Sequence, residues 1–152
     1  MAEQNKEPLS AAEQTVISKA LMILINQFPD MPKGVTAEYQ FISDDASVGV
    51  FSMQGAVKTE EYLCMPDEES FDGQFPFYIL YRCRPTSTPQ RINKQDFLDR
   101  LGEWLEKQTY PPLTGNRTIT DISRTTTTFL AGRYENGMEE YQCNFNLTYE
   151  KR

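Results

Sequence analysis

The 152-residue chain contains no histidine. That removes Ser-His-Asp and Cys-His catalysis and the commonest transition-metal ligand. Cysteine is scarce, with Cys64, Cys83 and Cys143 the whole set, an odd number with no metal-ligand spacing. They read as reduced thiols of a cytosolic protein. Basic charge is short as well. Fifteen Lys and Arg stand against 22 Asp and Glu, net −7, with no basic run. A sequence-specific reader of duplex nucleic acid needs clustered cations to displace counterions from phosphates, so that class is excluded. Apolar runs fall far short of the ~18 residues that a membrane span needs. A Gly-rich phosphate loop, a GxSxG elbow and a calcium loop are all missing. No cofactor, metal ligand set or catalytic group is expected, and the chain does not read as an enzyme.

What is present suits one domain of ordinary size. Aromatic residues make up 12% of the chain, which argues for a packed core despite a modest apolar fraction. Residues 1–9 are polar and read as a frayed tail, with the folded domain spanning 10–152. Ser10 and Glu13 have capping-box spacing, in which each side chain satisfies an orphan amide of the first turn. A helix is expected from Ala11 to Phe28. Val16, Ile17, Ala20, Leu21, Leu24 and Phe28 form its apolar stripe. Met22, Ile23 and Ile25 widen that stripe past one face, so either its own domain covers the helix on two sides or a neighbouring subunit covers part of it, and they join the candidate assembly contacts.

Strands follow over 36–42, 47–54 and 56–63. Residues 66–73 then read as an acidic loop. Asp67, Glu68, Glu69 and Asp72 repel one another and should project into solvent, with Gly73 as the return bend. Residues 74–84 form the strongest strand. Phe75, Phe77, Ile79, Tyr81 and Cys83 share one face, while Tyr78 and Leu80 make the other apolar, so the strand belongs mid-sheet. Pro85 to Gln90 reads as a loop. Asn93 and Asp96 cap a second helix over 94–107, with Phe97, Leu98, Leu101, Trp104 and Leu105 as its stripe. Three strands close the chain, over 117–123, 125–131 and 139–149. The last alternates without a break, and Asn136-Gly137 before it signals a hairpin turn. Strands and helices come in blocks, so the expected fold is α+β. It has a mixed, largely antiparallel sheet flanked by two main helices. Phe77, Ile79, Trp104 and Phe145 are the expected core.

Other groups stay open between two readings. Asp44-Asp45 and Glu60-Glu61 are adjacent pairs, which suit solvated turns better than a metal clamp. Tyr78, Tyr81, Tyr141 and Tyr149 fit core or interface aromatics, or the lining of a ligand pocket. Arg82, Arg84, Arg91, Arg100, Arg117, Arg124 and Arg133 are either surface charge or interface residues. Arg82 and Arg84, with the acidic loop, join the candidate assembly contacts.

Four segments carry a resemblance. They are Gln74-Phe75-Pro76-Phe77-Tyr78-Ile79-Leu80-Tyr81-Arg82, Phe97-Leu98-Asp99-Arg100-Leu101-Gly102-Glu103-Trp104-Leu105, Leu113-Thr114-Gly115-Asn116-Arg117 and Asn144-Phe145-Asn146-Leu147-Thr148-Tyr149. Together they resemble the tail terminator, or minor capsid, proteins of tailed bacteriophages and prophages. The resemblance implies a small α+β structural subunit of a virion or phage-tail-like particle, assembled in the bacterial host cytoplasm. It implies a homo-oligomeric ring, a hexamer, that caps the tail tube. Its partners would be the tail tube protein and the sheath or head-connector proteins, with no nucleic-acid sequence read and no membrane. An acidic surface suits a lumen through which DNA slides without sticking. The competing expectation is a small cone-shaped α+β ligand-binding domain or enzyme with an aromatic-lined pocket.

Overall fold

A computed structural model describes residues 7–62 and 70–152. Among these residues, two helices flank one mixed, mostly antiparallel open sheet of seven strands, an α+β fold. The elements are α1 (Ala11–Ile25), β1 (Glu38–Tyr39), β2 (Ser47–Ser52), β3 (Val57–Tyr62), β4 (Ser70–Cys83), α2 (Thr88–Glu106), β5 (Arg117–Arg124), β6 (Phe129–Arg133) and β7 (Glu139–Lys151).

The spine of the sheet is the β4–β7 pair, antiparallel from Phe71↔Lys151 to Cys83↔Glu139. Each spine strand is long enough to hold two short strands end to end on its outer side. β3 and β2 share β4, while β5 and β6 share β7. One transverse row therefore reads Glu38–Gly49–Leu80–Gln142–Phe129, from β1 through β2, β4 and β7 to β6. A second row reads Lys58–Gly73–Tyr149–Ile119.

The unbroken alternation in β4 and β7 sends Phe71, Phe75, Phe77 and Ile79, with Cys143, Phe145, Leu147 and Tyr149, to one face, where all are buried. Both helices cover that face. From α1 come Ile17, Leu21, Leu24 and Ile25, and from α2 come Phe97, Leu98, Leu101 and Leu105. Phe28 joins the helices, 6.0 Å from Phe97 and 5.4 Å from Trp104 between ring centres. The opposite face carries Tyr78, Gln142, Asn144 and Thr148, half-buried and, among the described residues, under no helix.

Several boundaries differ from the sequence expectations. The Ser10 cap forms, accepting from the Glu13 amide at 3.3 Å. Helix α1 stops at Ile25 rather than Phe28, where the Asn26 side chain takes over. It donates to the Ala37 carbonyl and accepts from the Ala37 amide, tying the helix end to the segment before β1. Residues 7–9, expected to fray, lie along β3. Leu9 is buried, its amide donates to Ala56, and the Glu7 carbonyl accepts from Lys58. Helix α2 begins at Thr88, capped by Ser87, not at Lys94. Pro89 had argued for a loop, yet proline is tolerated in a first turn, where its missing N–H leaves no bond unmade.

The start of β4 corrects the acidic-loop expectation. Asp67, Glu68 and Glu69 lie outside the described residues, but Asp72 and Gly73 are strand residues, not loop and bend. Asp72 accepts from the Tyr62 hydroxyl at 2.8 Å and from Arg152 at 2.9 Å. Gly73 is needed for space. A Cβ there would stand 2.6 Å from Cε1 of Tyr149, a ring that is 1% exposed. Gly73→Ala should therefore lower stability by about 1–3 kcal/mol, the usual range for overpacking. An unchanged thermal melt would mean that the Tyr149 ring is free to move aside.

Candidate functional site

The residues proposed from sequence as assembly contacts do not gather at one place. Of the three in α1, Ile23 alone projects, 64% exposed. It borders an apolar groove of about 150 Å³ with Ala20, Leu24, Pro111, Leu113 and Ile119. Met22 is half-buried against the core. Ile25 is a correction: it is fully buried. It lies one helical turn on from Leu21 and so shares the core stripe, whereas Ile23 falls on the far side.

Arg82 is also spoken for. Its guanidinium donates twice to the Glu140 carboxylate, through Nε and Nη2, and through Nη1 to the Ser43 carbonyl at 2.9 Å. Glu140 accepts in addition from the Tyr134 hydroxyl at 2.7 Å. Arg84 is exposed and runs beside Gly137 of the β6–β7 hairpin. It is the one arginine of the second-half group with no carboxylate partner among the described residues. Arg91, Arg100, Arg117, Arg124 and Arg133, like Arg82, are all ion-paired within the chain.

Two of these pairings are buried clusters at opposite ends of β7. At its start, Glu139 is almost fully buried and accepts from Arg91 at 3.0 Å, Arg133 at 3.3 Å and the Tyr141 hydroxyl at 2.9 Å. Burial alone would raise the carboxyl, but the bonds from Arg91 and Tyr141 and the charges of Arg91 and Arg133 together outweigh it and hold Glu139 below the usual range. Burial, with the bond to Glu139, pushes the Tyr141 phenol up to about 12.

At the far end, Glu13, 4% exposed, meets Arg117 side-on. Nε to Oε1 and Nη2 to Oε2 are both 2.7 Å. The Tyr149 hydroxyl adds a bond at 2.9 Å and Lys151 stands at 3.5 Å. Hydrogen bonding from Arg117 is the largest cause of a lowered Glu13 pKa. The capping-box pattern had sent this side chain back to Ser10. The structure sends it to a strand that begins more than a hundred residues later. No local signal in the sequence announces that partner.

Neither cluster has the open geometry of a reaction centre. Each carboxylate is surrounded by donors from its own chain, so it fastens helix to sheet or strand to strand. Burial pushes the Cys83 and Cys143 thiols up to about 11, which leaves both mostly protonated and unreactive at neutral pH. Asp44 and Asp45 lie exposed in a bend, and Glu60 and Glu61 are exposed on β3. Among the described residues no group of three or more acid or thiol side chains could share a metal ion. Tyr78 and Tyr81 do not line a common pocket. Tyr78 stacks on Phe51 at 5.1 Å on the open face, while Tyr81 packs on Phe97 at 4.8 Å on the helix face. No protein-family model matches the chain, and no curated protein matches it. Among the described residues no helix is long and apolar enough to cross a membrane.

The remaining surface feature is the distribution of exposed apolar side chains. Nine large ones are exposed among the described residues. Five of them, Tyr39, Phe41, Phe129, Leu130 and Tyr134, lie on or next to β1 and β6, the two free edges of the five-strand row. Periodicity could not reveal this, because β1 is only two residues long and β6 follows a run of threonines.

Proposed function

We propose that the chain is a structural subunit of a phage or phage-tail-like particle. In this reading it closes as a ring, a hexamer, on the end of the tail tube, stops tube growth and joins the tube to the head or collar. The observation that carries it is the collection of exposed apolar side chains on two opposite edges of one sheet. A ring subunit makes heterologous contacts, in which one surface meets a different surface of the next copy, and so needs two such patches. The buried ion pairs support the same reading, since they stiffen the scaffold rather than present chemistry. The four resembling segments lie in β4, α2, the turn before β5, and β7, which are the spine of the fold and its cover. The net charge of −7 suits a lumen that DNA must pass without binding. Its partners are then further copies of itself, the tail tube protein and the sheath or head-connector proteins, and its place is the virion or tail-like particle. No cofactor or catalytic residue enters.

The test is location. In particles purified from the host and labelled on this chain, the label should sit at the head-proximal end of the tail tube. Deletion of the chain should give tubes of uncontrolled length. A label anywhere else on the particle overturns the reading.

A further inference from the structure

We propose that the contact between neighbouring copies is edge to edge, with β6 of one copy against β1 of the next. This deepens the ring reading and rests on it. The transverse row Glu38–Gly49–Leu80–Gln142–Phe129 ends on both sides in a strand with no outer partner among the described elements. Such an edge is a template for pairing with another chain unless charge, proline or covering structure blunts it.

The strand directions fit. β1 is parallel to β2, β2 is antiparallel to β4, β4 to β7, and β7 to β6. β1 and β6 therefore run in opposite directions. Copies related by rotation about an axis along the strands keep those directions, so β6 of one copy meets β1 of the next antiparallel. That is the commoner and slightly more stable pairing.

The side chains fit as well. Tyr39 pairs with Val50 and Leu130 with Tyr141, which puts both on the helix-covered side of the sheet. Phe41 is 55% exposed beside β1, and Phe129 is 40% exposed on β6. Charge is complementary. The β1 side carries Glu38, Asp44 and Asp45, all exposed, against Lys33. The β6 side carries Arg84, which has no carboxylate partner among the described residues, with Arg91 and Arg133 sharing Glu139 between them, against Glu135. A second copy of this chain is thus the occupant that each edge suits. Strand β1 spans two residues, and β6 shifts register at Ala131, so backbone bonds are few and side chains carry most of the contact. The same bulge keeps the edge from accepting strands indiscriminately.

The experiment uses the full chain with two single lesions, Phe41→Asp on one edge and Leu130→Asp on the other. Both positions are exposed, so both variants should fold, as a thermal melt checks. By sedimentation at millimolar concentration and low salt, each variant alone should lose the multimer formed by the parent chain. An equal mixture should give a two-chain species, because each variant supplies the edge that the other lacks. As a second measurement, Tyr39→Cys with Leu130→Cys in one chain, with Cys64→Ser, should give a ladder of disulfide-linked copies on mild oxidation. The two single cysteine variants mixed should stop at dimers. If either lesion assembles like the parent, or the mixture stays monomeric, the edge contact is wrong and the ring reading stands. A parent chain that stays monomeric throughout also overturns the edge contact. The ring reading falls separately, on a label away from the tube end.

Discussion

Arg117→Ala should cost about 3–5 kcal/mol in urea denaturation, because it strands a buried carboxylate. Arg117 brings two 2.7 Å bonds to Glu13, and its Nη1 donates to the Thr114 carbonyl at 2.8 Å. Without the guanidinium, Glu13 keeps Tyr149 and a distant Lys151 against the full cost of its burial. Glu13→Gln should also destabilise, since an amide offers one acceptor oxygen where the carboxylate takes bonds from both Nε and Nη2 of Arg117. Replacing both partners, Glu13→Leu with Arg117→Met, should recover much of the loss, because an apolar pair of similar volume has no desolvation to offset. A loss under about 1 kcal/mol for Arg117→Ala would place the pair in the exposed class, against its burial here. Acidity gives a second readout. The folded-state pKa of Glu13 is depressed, so its contribution is present above the ordinary carboxylate pKa and is lost as pH falls through the depressed value. In Arg117→Ala the largest cause of that depression is gone, so the acid-induced loss of stability from this group should shrink.

That pair also marks where sequence reasoning stops. Local rules found Ser10 as the helix cap, Asn136-Gly137 as the hairpin turn and the alternation of β7, each of which is written within a few residues. Gly137 takes a φ of 87°, and Tyr134 and Met138 close the turn. Glu13 satisfied a local rule too, yet the Arg117 fork offers its carboxylate two bonds from a charged donor where the Ser10 amide offers one from a neutral donor, and the stronger donor set wins. Gly73 departs from its local pattern for the same kind of reason. Within its own segment it follows four acids and resembles a bend. In the sheet it faces Tyr149, far along the chain, and its lack of a side chain makes room for that ring. The arginines looked like surface or interface charge because their partners, Glu13, Glu106, Glu139 and Glu140, come from other elements. The proposed contact edges were hidden for a different cause. β1 and β6 are edges only by virtue of the strand order, and strand order is a property of the whole sheet.

Phe77→Ala should cost about 3–5 kcal/mol, and Trp104→Ala clearly less, about 2 kcal/mol, despite the larger ring. From sequence the two looked equivalent, since each sits at the centre of an apolar stripe. The structure separates them. Phe77 is fully buried on the β4–β7 spine and lies parallel to Phe145, 5.0 Å between ring centres and 5° between planes. Its removal leaves a cavity between two rigid strands under α2, where a Cβ on Gly102 would stand 3.4 Å from Phe145 Cζ and 2.7 Å from Arg124 Cδ. The strands are locked by thirteen paired positions and cannot close the space. Trp104 is half-buried at the rim of the same core and meets Phe28 at 5.4 Å. Water can enter the gap its removal leaves, and Phe28 can move into it. The fully buried side chains of α2 are Leu98, Leu101 and Leu105, and these hold the helix down whether or not the indole is present. Parallel denaturation of both variants decides the matter. If Trp104→Ala proves the more damaging, α2 is held chiefly by its rim contact with α1 rather than by the sheet beneath it.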